Sequence, residues 1–132
     1  MKLLLDTDTC IHALKNNARV IDRLLSRSRA DVAVSVITEA ELRTGAAKSS
    51  APVRTAHLLE NFLGPLAVVE FTSADATAYA HLRAKLERAG TPIGPLDTLI
   101  AAQAVSSKLV LVSNNEGEFG RIPGLRLENW TR

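Results

Sequence analysis

Two aspartates one residue apart, Asp6 and Asp8, stand directly behind the apolar run LLL at positions 3–5. Further acids recur in comparable places. Glu41 follows the apolar run at 32–37, Asp97 comes just after Gly94-Pro95, and Glu116 and Glu118 follow Ser113, Asn114 and Asn115 at the end of LVLV. In an open parallel sheet, ligands collect beyond the carboxyl ends of the strands, so acids placed after strand-like runs fall along one edge. Several carboxylates converging there repel one another, and either their pKa values rise or a cation fills the site. A hard divalent ion such as Mg²⁺ suits such a set, because it takes oxygen ligands while keeping several waters and a substrate phosphate. The chemistry that follows is phosphodiester hydrolysis, in which the ion polarises a phosphoryl oxygen and lowers the pKa of an attacking water.

Each acid also has a plain structural role to set against this. Thr38-x-x-Glu41 has the form of a capping box, Asp97 in a first helical turn complements the helix dipole, and Asp8 or Thr7 can cap a helix running through Ile11 and Leu14. The pair Asp6-x-Asp8 also resembles the opening of phosphoaspartyl phosphatases of the haloacid dehalogenase type. That chemistry wants Thr or Val in place of Cys10, a lysine beyond a late strand and an acidic pair near the end. Lys108 instead precedes the last long apolar run, and no aspartate pair follows it. No Gly-rich phosphate loop, His/Cys metal cluster or Ser/His/Asp pattern competes, and His12, His57 and His81 all fall in helical patterns.

The elements that must position these acids are legible as alternating patterns. Apolar runs at 3–5, 32–37, 67–71 and 109–112, with a weaker one at 125–130, read as strands, and all but the last are near-continuous, as strands buried on both faces are. Between them, 18–27 carries Val20, Ile21, Leu24 and Leu25 at helical spacing, and 73–88 reads as a helix with Ser73 as N-cap and Gly90 beyond its end. Asp97 opens a third helix, LDTLIAAQAV. The alternation predicts an α/β, three-layer α/β/α domain with a mostly parallel central sheet, a single unit over residues 1–132. With 46% hydrophobic but only 4% aromatic residues, its core must be made of Leu, Val, Ile and Ala.

Composition excludes several classes. The single Cys10 cannot form an internal disulfide, the start MKLLLD falls short of a secretory leader, and no apolar run approaches the roughly 20 residues of a membrane span, so the chain reads as cytoplasmic. The net charge of +2 says little about partners. Arginines cluster at 19, 23, 27 and 29, but solvated helix faces produce the same pattern as a phosphate-binding patch.

Four blocks taken together, LLLDTDTCI, SVITEAELRTGAAKS, GTPIGPLDTLIAAQA and LVLVSNNEGEFGRIPGLRLENW, closely resemble the PIN-domain ribonucleases that act as VapC toxins of bacterial type II toxin–antitoxin modules, in order and across the whole chain. The resemblance implies an endoribonuclease dependent on Mg²⁺ or Mn²⁺, commonly a homodimer and held inactive by a cognate VapB-like antitoxin. It places Asp6, Glu41 and Asp97 on the family's acids, with Asp6 and Asp97 as metal ligands, and matches Ser113 to a Ser or Thr that orients the first aspartate. Asp8 matches a position where many members carry Asn, which suggests capping and orienting rather than ligation. The fourth block departs from the commoner pattern, since Asn115 stands where many members have Asp. A subgroup with T-N-N-x-x-E-F resembles this chain, and there the later glutamate, here Glu118, supplies a candidate fourth carboxylate. That subgroup looks like the VapC enzymes that cut initiator tRNA in its anticodon loop, which makes tRNA a candidate substrate. The rival of another class is a non-catalytic RNA-binding or regulatory scaffold with the same fold, which would have no need of acids that repel one another.

Overall fold

The structure is a computed structural model that describes all 132 residues. Five parallel strands, β1 (Leu3–Leu5), β2 (Val32–Ser35), β3 (Ala67–Val69), β4 (Val110–Val112) and β5 (Leu127–Glu128), form one sheet in the order β3-β2-β1-β4-β5. Every pairing is parallel, so the mostly parallel sheet expected from the apolar runs is wholly so.

Side chains alternate across the pleat and divide the core in two. Leu3, Leu5, Val32, Val34 and Val112 face one side, while Leu4, Ala33 and Leu111 face the other. The first side is covered by α1 (Thr7–Leu14), α2 (Ala18–Leu25), α3 (Val36–Ala47) and α4 (Pro52–Leu63), which contribute Cys10, Val20, Leu42 and Leu59. The second is covered by α5 (Ser73–Arg88), α6 (Pro95–Ser106) and the one-turn α7 (Glu116–Phe119), through Leu86, Ile100, Ala101 and Phe119. The small residues Ala101, Ala102 and Ala104, all 0% exposed, let α6 sit close to the sheet. No helix is long and apolar enough to cross a membrane.

Several boundaries differ from the sequence reading. The run 32–37 divides after Ser35, whose hydroxyl accepts the Ile37 N–H at 3.0 Å and starts α3 at Val36. β-Branched Val36 and Ile37 suit a strand by propensity, but in a first helical turn they have no preceding turn to crowd. Glu41 is therefore the sixth residue of α3, and the capping box with Thr38 does not exist. The capping box lies instead at α5, where Thr72 is the N-cap and Asp75 answers it, one residue before the expected Ser73. β3 stops at Val69 and α2 at Leu25, each two residues short of the pattern read for it.

The order of the sheet locates its crevice. The chain passes from β1 outward to β2 and β3, then returns to lay β4 on the other side of β1. This reversal between β1 and β4 opens the carboxyl ends of those two strands to a ligand.

Candidate active site

Asp6 follows the last residue of β1 and Ser113 the last residue of β4, so both stand at the crevice. The backbone joins them there: Asp6 N–H donates to Val112 O at 3.0 Å, and the Thr9 hydroxyl donates to the same carbonyl, also at 3.0 Å. Asp6 is itself the N-cap of α1, its Oδ1 accepting the Thr9 N–H at 2.8 Å. This corrects the expectation that Asp8 or Thr7 caps the helix. Asp8 is exposed in the first turn and adds only charge to the region.

Asp6 is 3% exposed, a severe setting for a carboxylate. Burial raises its pKa, and so does the Asp8 charge; the Ser113 hydroxyl and the Thr9 N–H pull it back down. Ser113, fully buried, thus favours the ionised form of Asp6. The Ser113 oxygen also accepts the Asn115 N–H at 2.9 Å, which turns the chain away from β4 into α7.

Asp97 lies in the first turn of α6, behind Gly94 as N-cap and Pro95 at the first helical position. Its pKa is pushed up to about 6, first by burial and then by the charges of Asp6, Glu41, Glu118 and Asp8. Four acids from three other segments thus act on Asp97. Glu41 comes from α3, and its Oε1 accepts a hydrogen bond from the Thr7 hydroxyl at 2.7 Å. Glu118 comes from α7, which Phe119 pins to the core at 1% exposure.

Glu116, two residues before Glu118, goes elsewhere. It pairs with Arg132, and that contact holds its carboxyl below the ordinary range. Asn115 is the N-cap of α7, although its side chain makes no capping bond. The structure therefore brings Asp6, Glu41, Asp97, Glu118 and Ser113 together, with Asn115 alongside as the start of the turn that carries Glu118. The sequence reading gave Thr7 and Thr38 only capping roles and missed Thr9. Thr7 contacts residues 31 and 34 positions away, a relation no local spacing reveals.

An apolar groove of about 670 Å³ has Glu41 in its wall and is lined by Ile11 and Leu14 of α1, Leu42 of α3 and Leu58 and Leu59 of α4. α2 takes no part in this groove: Val20 is buried in the core, and Leu24 and Leu25 line a separate cleft with Phe62 and Leu66.

Comparison with known proteins agrees with this fold. The PIN domain family model matches residues 3–125. A tRNA(fMet)-specific endonuclease VapC of Salmonella typhimurium is 42% identical over 130 residues, covering 98% of each chain. A protein of the same description from Shigella flexneri is 37% identical and covers 99% of each. Among solved structures, DNA-bound VapBC from Salmonella typhimurium superposes with a TM-score of 0.94 at 42% identity, covering 98% of both chains. VapBC2 from Rickettsia felis, bound to a DNA fragment from its promoter, gives 0.92 at 36% identity, covering 98% of this chain and 99% of that one. With the family model matching nearly its full length and relatives this similar end to end, the chain belongs to the PIN-domain family, among its VapC ribonucleases.

Proposed function

We propose that this protein is a divalent-metal-dependent endoribonuclease acting in the cytoplasm as the toxin of a type II toxin–antitoxin pair, with initiator tRNA, cut in its anticodon loop, as substrate. The observation that carries the catalytic part is the Asp97 carboxyl, raised to about 6 by burial and by four other acids at the β1/β4 crevice. A scaffold would gain nothing from such repulsion. The substrate is argued from the relatives described as tRNA(fMet)-specific endonucleases and from the block in which Asn115 and Glu118 replace the commoner aspartate.

The donor set fits Mg²⁺ or Mn²⁺, being all oxygen and strongly anionic. No three of the acids stand at chelating distance of a common point. Asp6 and Asp97 are the proposed ligands. When bound there, the ion would polarise the phosphoryl group and lower the pKa of an attacking water, giving 5′-phosphate and 3′-hydroxyl ends. Ser113 and the Thr9 N–H offset part of the burial that disfavours ionised Asp6, and Glu41 and Glu118 add charge from α3 and α7.

The apolar groove beside Glu41 suits a helix of a VapB-like antitoxin. An Arg or Lys carried on that helix would meet the acids directly. A homodimer is the assembly proposed for the toxin itself.

The decisive experiment incubates purified protein with initiator tRNA and other RNAs, with EDTA and after adding back Mg²⁺ or Mn²⁺. Cleavage should stop with chelator, return with metal, and leave ends that map to the anticodon loop. Undiminished cutting in EDTA would refute the metal reading, and indifference among RNAs would refute the substrate. Expression without an antitoxin should arrest growth; harmless expression of soluble, wild-type protein would refute the toxin role.

The two glutamates of α7 give an internal control. Glu118→Gln should lower cleavage at least about tenfold, roughly 1.4 kcal/mol of transition-state stabilisation, while Glu116→Gln, whose partner is Arg132, stays within about twofold. Equal rates for the two variants across a Mg²⁺ titration would leave a three-acid site.

A further inference from the structure

Thr7 opens α1 and is half-buried, and Thr38 lies in the first turn of α3 and is 0% exposed. The Thr7 oxygen is 2.7 Å from Glu41 Oε1 and 3.1 Å from the Thr38 oxygen. A hydroxyl carries one proton and two lone pairs, and an ionised carboxylate only accepts. The Thr7 proton therefore goes to Glu41, and the Thr38 hydroxyl must donate to Thr7. This makes a directed chain from Thr38 through Thr7 to Glu41 Oε1, ending in a short, charge-assisted bond that the first one strengthens.

We propose that Thr7, backed by Thr38, is a positioning residue that fixes the Glu41 carboxylate, with Oε1 engaged and Oε2 left for the acid cluster. The proposal rests on the reading of Glu41 as a member of that cluster. Glu41 projects from the second turn of a helix, in the wall of an open groove, where a glutamate has several rotamers to choose from. The Thr7 bond selects among them before substrate arrives, which is where preorganisation raises kcat rather than substrate affinity. It also spans α1 and α3, so the position of Glu41 is referred to the same helix that Asp6 caps.

The test uses the full chain, an RNA it cleaves, and Mn²⁺. Thr7→Val, nearly isosteric, should lower kcat about tenfold with KM within about twofold, and Mn²⁺ binding measured by calorimetry should weaken several-fold. Thr7→Ser, which keeps the hydroxyl, should recover kcat to within about threefold of wild type, and Thr38→Val should lose about threefold. Because Thr7 acts through Glu41, the double variant Thr7→Val/Glu41→Gln should be no slower than Glu41→Gln alone. Multiplying losses with unchanged Mn²⁺ binding would make Thr7 a tie between helices and overturn the proposal while sparing Glu41. Full kcat in Glu41→Gln would instead overturn the reading of Glu41, and the relay with it. If Thr7→Val does not fold, Thr38→Val leaves the first turn of α1 intact and is compared with Glu41→Gln in the same way, additive losses again overturning the relay.

Discussion

Asp6→Asn is expected to lower RNA cleavage by at least about a thousandfold, roughly 4 kcal/mol of transition-state stabilisation, while the variant folds as well as wild type or better. Two properties of Asp6 make the result informative. It is buried at 3% exposure with a raised pKa, so at neutral pH its ionised form costs folding free energy. It is also the N-cap of α1, a duty that Asn performs about as well as Asp. The amide removes the charge, keeps the volume and keeps the bond from the Thr9 N–H. Melting at pH 7 without divalent ions should therefore be at or above the wild-type temperature, even though activity is gone. Asp6→Ala separates the two roles, because it should lose the activity and also about 1 kcal/mol of cap stability. If Asp6→Asn kept near-wild-type turnover at saturating Mg²⁺, Asp6 would be a cap and nothing more.

This double duty was not legible in the sequence. The stretch DTDTC offers two aspartates and two threonines as possible caps, and composition alone cannot say which one the backbone selects. The structure selects Asp6 because β1 ends at Leu5, where the Asp6 N–H is taken by Val112 O, and the helix must start immediately. The central strands were easy to read, since LLL and VAVS are buried on both faces and carry no polar interruption until Ser35. The edge strands were harder. β5 has only Leu127 and Glu128, and β3 leaves Ala67 and Val68 exposed, so neither has the burial that enforces a pattern.

Glu41 shows how a local rule can mislead. Thr38 and Glu41 have capping-box spacing, but Ser35 starts the helix first, and the two side chains meet through Thr7 instead. The convergence of the acids was legible for a different reason. Residues placed after strands of a parallel sheet share an edge whatever the loops do, so Asp6, Glu41 and Ser113 needed only strand order, not loop geometry. Glu118 needed one fact more, a turn of helix after Ser113 with Phe119 buried, and the sequence carries it as an aromatic directly behind the acid.

Asp97→Asn should match Asp6→Asn in activity, a loss of at least about a thousandfold, and should also change how stability depends on pH. In the folded protein burial and the neighbouring acids push the Asp97 carboxyl up to about 6, against 3.8 for an unperturbed side chain. The folded state thus binds this proton more tightly than the unfolded state does. Its contribution favours folding fully below the unfolded value, fades as pH rises from about 4 to 6, and is gone above that range. Wild type should accordingly lose melting temperature relative to Asp97→Asn across that window, with the gap widest near pH 7. Because Asp97 is only partly buried, solvent screening keeps the gap below what the shift in isolation suggests. The variant also frees Asp6, Glu41 and Glu118 from one repelling charge, so the difference belongs to the cluster as a coupled unit. Mg²⁺ or Mn²⁺ should reverse the order, stabilising wild type at pH 7 by binding the folded state while doing much less for Asp97→Asn. Parallel melting profiles for the two proteins from pH 4 to 7, with the same response to metal, would place Asp97 outside the cluster and leave its carboxylate as a first-turn helix charge.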